Sequence, residues 1–267
     1  MRIHVISDIH GNMSALGRAG DGADLVIALG DFLDYVDYYD SSGGVLGEVF
    51  GPDQVAKFIA LRTAGAFDEM HEYDRELWSE IADPVGTITE IVASRYEQVI
   101  RLLGDRAMVT LGNVDMQEIW AAVAPEPLRC LDGETVMIDG RKFGFVAGGS
   151  NKEVPTHSPW RPFVRTPTAY RDAVELVGPV DVLCSHVPPK IDALRFDTVP
   201  KRFEMYGPGL LESIELHKPA MSLFGHIHQP ESGRLWYGRT RCINVGHFQR
   251  TEAPYVLDTN TLPSPTD

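Results

Sequence analysis

The chain has 267 residues, of which 43% are hydrophobic and 23% charged, the composition of a folded globular protein and not of a disordered one. Its 24 Lys and Arg against 38 Asp and Glu give a formal charge of −14. That excludes a general basic footprint for duplex nucleic acid or an anionic membrane, while leaving room for polyvalent cations among clustered carboxylates.

Met1-Arg2 leads at once into residues 3–6, an apolar β-branched stretch without the charged n-region and long h-region of a leader. No run is long enough for a membrane-spanning helix, and the default expectation is a cytoplasmic protein. Residues 3–6 are the first of five short apolar segments that read as buried strands, and Asp8 and His10 follow it. The second, 25–29, runs into Gly30-Asp31. A long stretch of about 35–106 then reads as a mainly helical insertion. Its first part, 37–51, has tyrosines and four glycines and reads as a loop. A helix is expected after Gly51-Pro52 with Val55, Phe58 and Ile59 on one face, and another through Tyr73, Leu77 and Ile81. The clearest helix is 85–103, with Ile88, Ile91, Val92, Tyr96, Val99, Ile100 and Leu103 at three- and four-residue spacing. Such a connection serves either as a lid or specificity element or as packing on the flank of a sheet.

The third strand, 108–111, runs into Gly112-Asn113. Past residue 127 the character turns to β. Residues 135–138 and 142–146 flank Asp139-Gly140, which suits a type I′ hairpin. The fourth apolar segment, 180–184, is followed by His186, and the fifth, 221–224, by Gly225-His226-Ile227-His228. Segments 233–237, 241–245 and 255–257 add further strands, and the Thr/Pro/Ser-rich residues 259–267 read as a frayed tail. With no repeat and no linker, 1–258 reads as one domain. Cys130, Cys184 and Cys242 form no C-x-x-C pair, and Cys184 reads as core.

A metal-binding or hydrogen-bonding side chain thus follows each of the five apolar segments, where open α/β sheets place their ligands. Asp8, His10, Asp31, Asn113, His186, His226 and His228 offer carboxylate, imidazole and amide donors, a mixture suited to Mn, Fe, Zn, Co or Ni and not to calcium. Seven donors exceed one tetrahedral ion and fit two ions about 3.5–4 Å apart that share a carboxylate.

Asp8-x-His10, Gly30-Asp31-x-x-Asp34, Gly112-Asn113-x-Asp115, His186 and Gly225-His226-x-His228 resemble the five ordered blocks of the calcineurin-like metallophosphoesterase superfamily. Ile243-Asn244-Val245-Gly246-His247 loosely resembles the Asn-Pro-Gly-Ser stretch of its small bacterial and archaeal phosphodiesterase-like branch. The resemblance implies an α/β fold, a four-layer α/β/β/α sandwich with the helical insertion between the second and third motif strands. It assigns Asp8, His10, Asp31 and His228 to one divalent metal and Asp31, Asn113, His186 and His226 to the other, with Asp31 bridging and manganese favoured. Catalysis is expected to turn on Asp31, Asn113, His186 and His226. Asp34 is expected to support the site from behind the ligands, or else to cap a loop or helix. Asp115 has the same family role, but helix N-capping over 116–123 accounts for it better. The implied mechanism is attack on the ester by a metal-bridging hydroxide, with no phosphoenzyme.

The third block departs from the usual Gly-Asn-His-Asp/Glu, since Val114 replaces the histidine that helps the leaving group. General acid help is worth about 10²–10⁴-fold, so its loss matters most for poor leaving groups. That branch also replaces this histidine and tends toward diesters. The expectation is a small or nucleotide-like phosphodiester substrate, with a phosphomonoesterase or a non-catalytic scaffold as alternatives. His157 and His247 are the unassigned histidines considered as a replacement acid. Arg161, Arg165 and Lys190 read as surface residues or phosphate contacts, and Tyr35, Tyr38 and Tyr39 as packing within the insertion or a stacking surface for a base.

Overall fold

Strands that are apolar on both faces need a layer on each side, and the motif strands have this character. In the computed structural model, which describes residues 1–153 and 158–263, two sheets supply it. The first runs in the order Tyr255–Asp258, Arg2–Ile6, Leu25–Ala28, Ala107–Val109 and is parallel except for its first, edge strand. The second runs Arg234–Tyr237, Thr240–Asn244, Met221–Phe224, Val182–Ser185, Arg141–Val146, Glu134–Ile138, with four parallel strands between antiparallel edges.

Alternation along the strands sorts side chains between layers. Ile3, Val5, Ile27 and Leu29 meet Phe143, Phe145, Val182, Cys184, Leu223 and Ile243 in the core between the sheets. The intervening Val26 and Ala28 pack outward against Leu16 and the helices of the insertion. Val146, Leu183, Phe224 and Cys242 pack outward against Tyr170, Val174, Leu210 and Ile214. The product is the expected four-layer α/β/β/α sandwich. Among the described residues no helix is long and apolar enough to cross a membrane.

The insertion consists of helices Gly44–Phe50, Pro52–Thr63, Phe67–Ser79 and Pro84–Leu103. The first of these corrects the reading of 37–51 as a loop. Its glycines hid it, since an interior glycine costs a helix about 1 kcal/mol. Burial of Val45 and Leu46 contributes about 1.5–3 kcal/mol each and outweighs that cost. Gly47 also has a steric reason, because a Cβ there would stand 2.6 Å from the Ser42 carbonyl carbon. Helix Pro84–Leu103 starts where Asp83 accepts a hydrogen bond from the Gly86 amide, and it buries Ile88, Val92, Tyr96, Val99 and Leu103.

The expected hairpin forms, with Asp139 at φ 50° and Gly140 at φ 74°, as a type I′ turn requires. The reading of everything past 127 as β needs correction, because helices Pro167–Val177 and Leu210–His217 build the fourth layer. The first was legible in principle. Thr166 caps it through the Ala169 amide, Pro167 opens it, and Tyr170, Ala173, Val174 and Val177 follow helical spacing.

Candidate metal centre

The loops leaving five parallel strands converge at one edge of the sandwich. They approach closely because glycines leave room. A Cβ on Gly30 would stand 2.0 Å from the Gly112 amide, and one on Gly225 would stand 2.0 Å from Ser7 Oγ and 2.4 Å from Asp8 Oδ2. The amides of Ile9 and His10 both donate to the Asp31 carbonyl at 2.9 Å, and that of Gly225 donates to the His186 carbonyl at 2.9 Å. Asp8, His10, Asp31 and His226 have φ of 58°, 43°, 52° and 68°. Left-handed backbone costs a residue with a Cβ roughly 1–2 kcal/mol, and four such residues at one edge mark a place where function sets the geometry.

All seven donors named from the sequence lie at this edge. His10 Nδ1 is 2.9 Å from Asp34 Oδ1 and 3.0 Å from the Leu33 carbonyl, so it carries the proton. Its Nε2 faces His228 Nε2 at 3.2 Å, Asp8 Oδ1 at 3.7 Å and Asp31 Oδ2 at 3.9 Å. His186 Nδ1 donates to the Leu29 carbonyl at 2.7 Å, which turns its Nε2 toward Asn113 Oδ1 at 2.9 Å and Asp31 Oδ2 at 3.2 Å. His228 Nε2 lies 3.3 Å from Asp8 Oδ1. His226 Nε2 and Asp8 Oδ1 are buried and have no hydrogen-bond partner. The donor atoms of Asp8, His10 and Asp31 lie within 4.8 Å of one another, as do those of Asp31, His186 and His226. Asp31 belongs to both groups.

This arrangement fits divalent cations. Once Nδ1 of His10 and of His186 donates outward, each neutral ring points a lone pair at other acceptors, a repulsive contact unless positive charge lies between. An imidazole that ligates a metal holds its other N–H on a carboxylate or carbonyl in this way. In the metal-free protein a second proton meets that demand: burial opposes charge on His186, yet Asp31 raises its pKa to about 9, and against burial Asp34 and Asp8 raise that of His10 well above the usual range. Burial also opposes the charge on Asp8, but the imidazoles of His10 and His228 beside it hold its carboxyl well below the usual range. His226, buried and beside a charged His186, is lowered to about 3. Its ring is therefore neutral at ordinary pH.

Asp34 contacts His10 and takes a second hydrogen bond from Gln249 Nε2 at 3.3 Å, a position behind His10 and not that of a cap. One expectation changes. Asp115 is not the N-cap of the following helix. Helix Gln117–Val123 starts after Met116 with no side-chain cap. Asp115 is instead fully buried, its Oδ2 accepting from the amides of Asp31 and Gly112, both at 2.8 Å, and its Oδ1 from Phe32 at 3.0 Å. Burial and the neighbouring charge of Asp31 raise its pKa to about 7. Tyr96 completes this support, its hydroxyl donating to Asp115 Oδ1 at 3.4 Å and accepting from the Met116 amide at 2.7 Å. Helical spacing marked Tyr96 as core, and only the three-dimensional neighbourhood shows its second role.

Val114 is half-buried, and its amide donates to Asp31 Oδ1 at 2.8 Å. His247 stacks on His228 with ring centroids 3.7 Å apart. His157 lies outside the described residues. Arg165 is committed to Asp132 at 2.9 Å, which removes it as a phosphate contact, and Lys190 lies 5.5 Å from the centroid of the Tyr206 ring. Tyr35 is packing, with its hydroxyl on Asp74 and Trp78, whereas the exposed Tyr39 lies against Arg250.

A family model described as calcineurin-like phosphoesterase matches residues 1–230. No curated protein matches the chain. Among solved structures, one described only as a crystal structure superposes with TM-score 0.56 at 14% identity, covering 96% of this chain and 98% of that one. TT1561 of Thermus thermophilus gives 0.52 at 10% identity with the same coverages. Both are similar in fold. A protein described as a novel archaeal phosphodiesterase gives 0.38 at 14% identity, covering 98% of this chain and 96% of that one.

Proposed function

The chain belongs to the calcineurin-like phosphoesterase family, and from that premise we propose a phosphodiesterase that works with two divalent cations on a small or nucleotide-like diester. The observation that carries this is the Asp31 carboxylate, shared between two groups of donor atoms. Asp8, His10, Asp31 and His228 would hold one cation, and Asp31, Asn113, His186 and His226 the other, with manganese favoured. Such cations lower the pKa of water and offset charge on phosphoryl oxygens.

The chain's own residues set the rest. Asp34 and the Leu29 carbonyl fix the tautomers of His10 and His186, and the Val114 amide fixes the rotation of Asp31. Val114 has no proton to give a departing alkoxide. That supports a diester with a good leaving group over a poorly activated monoester. None of the seven donors is lost, which speaks against a non-catalytic scaffold. We take residues 1–258 as one domain of a cytoplasmic protein.

The test is metal-depleted protein restored with Mn, Co, Ni, Zn or Fe and assayed on paired aryl phosphate monoester and diester substrates. Turnover of the diester ahead of the monoester, dependent on added metal, is expected. Bound metal with activity on neither substrate refutes the enzyme, and faster monoester turnover refutes the diester preference. Val114→His is expected to raise the ratio of monoester to diester kcat/KM by about tenfold or more, the low end of what a general acid supplies. An unchanged ratio would show that another group already delivers the proton.

A further inference from the structure

We propose that Arg62 and Arg202 bind a second phosphate of the substrate, outside the metal centre, so that the preferred diester is a nucleotide that also carries a phosphate monoester; this rests on the phosphodiesterase reading above. The two arginines come from separate elements. Arg62 lies in the last turn of helix Pro52–Thr63, within the insertion. Arg202 lies in a short hairpin, paired with Asp197. That hairpin is tied to the chain just past His228: the Thr198 amide donates to the Gln229 carbonyl and the Glu231 amide to the Phe196 carbonyl, both at 2.9 Å.

Tyr38 is where they meet. It follows Asp34 in a loop whose Asp37 Oδ1 accepts from the amides of Tyr39 at 2.7 Å and Asp40 at 3.1 Å. Asp37, Asp34 and His10 line one cavity of about 250 Å³, which sets this loop beside the centre. Arg62 Nη1 donates to the Tyr38 hydroxyl. Desolvation raises the pKa of that hydroxyl, and the charges that act on it are those of Arg62, Asp34, Arg202 and His10. An arginine of the insertion, an arginine of the hairpin and His10 of the proposed centre thus surround one side chain, itself 45% exposed. Both guanidinium groups keep donors to spend. Arg62 has no carboxylate partner among the described residues, and its hydrogen bond to Tyr38 occupies a single N–H. Arg202 uses Nε on Glu204 Oε1 at 2.6 Å, which leaves both terminal nitrogens without a partner among the described residues. In a chain of formal charge −14, two such cations offset the general repulsion of an anionic substrate. Two positive charges with forked donors match a dianionic phosphate monoester and not a neutral base or sugar.

The competing role is packing, with Arg62 merely holding Tyr38 in place. Two esters that differ in one group separate the roles: thymidine 5′-(4-nitrophenyl phosphate) and the same ester with a 3′-phosphate. Metal-restored wild type is expected to favour the 3′-phosphorylated ester by at least about tenfold in kcat/KM, the value of one charge-assisted hydrogen bond. Arg62→Gln and Arg202→Gln should each bring that ratio toward one. Arg62→Lys, which keeps the charge but not the fork, should retain part of it. A packing role would slow both esters alike, and an unchanged ratio in both Gln variants would overturn the proposal. Equal turnover of the two esters by the wild type would overturn it as well, with the phosphodiesterase reading intact. Turnover of neither ester, with metal bound, would refute that reading and this inference with it.

Discussion

Replacing Asp31 by Asn is expected to cut kcat on the order of 10³-fold or more while leaving the metal-free protein folded. Asp31 is the one side chain common to both donor groups, with Oδ2 at 3.2 Å from His186 Nε2 and 3.9 Å from His10 Nε2. With the two cations proposed above, its removal would weaken both positions at once, whereas loss of any single histidine would weaken one. The choice of Asn matters because φ at this position is 52°. Asn tolerates left-handed backbone, so the amide isolates the charge, while Asp31→Ala adds strain of roughly 1–2 kcal/mol. An Asn side chain can still accept from the Val114 amide, keeping the Gly112–Asp115 turn in register. Burial opposes the Asp31 charge, but His186 and His10 hold its carboxyl below the usual range, so the metal-free variant is expected to stay folded with a lower thermal midpoint. The measurement is kcat at saturating metal, together with the bound-metal count by elemental analysis. Retention of most activity would show that the two cations do not share this carboxylate.

The buried strands were readable because each apolar segment is followed within two residues by a Gly, Asp or His, whereas the four-layer arrangement was implied by the family resemblance. Val26-Ile27-Ala28-Leu29 has no polar face, which by itself calls for layers on both sides, and the structure provides both. The helix over Gly44–Phe50 was not readable, because propensity argues against it and only burial of Val45 and Leu46 in the insertion makes it form. The donor residues were readable from their positions past the strands. The groups that orient them were not. Asp115 has the local sequence signature of a helix cap, and nothing in the chain reveals that its oxygens instead bind amides eighty residues away, at Asp31 and Phe32. Gln249 and Tyr96 are similarly silent, since their roles rest on contacts with His10, His247, Asp115 and Met116 made only in the folded chain.

That hidden support leads to a large stability effect. Asp115→Ala is expected to destabilise the protein by about 3–5 kcal/mol, a large share of the roughly 5–15 kcal/mol available to a folded domain. It would orphan three buried amides, those of Asp31, Phe32 and Gly112, at about 1–3 kcal/mol each, and leave the Tyr96 hydroxyl without its acceptor. Turnover should fall with it, because the Asp31 turn loses its anchor to the Gly112 loop. Asp115→Asn should cost less. Its carbonyl can serve Asp31 and Gly112 from the Oδ2 position, but its NH₂ then meets the Phe32 amide and the Tyr96 hydroxyl, so two donors lose their acceptor. The charge works in the opposite sense. Burial and Asp31 raise the folded pKa of Asp115 to about 7, so ionising it costs the metal-free wild type stability as pH rises from its unfolded value of about 4 toward 7. Asn escapes that loss. The gap in denaturant midpoint between wild type and Asp115→Asn, measured in chelator, should therefore narrow between about pH 4 and pH 7. An Asp115→Ala protein that unfolds at the wild-type midpoint would mean that the Asp31 turn is held by its own backbone and not by this carboxylate.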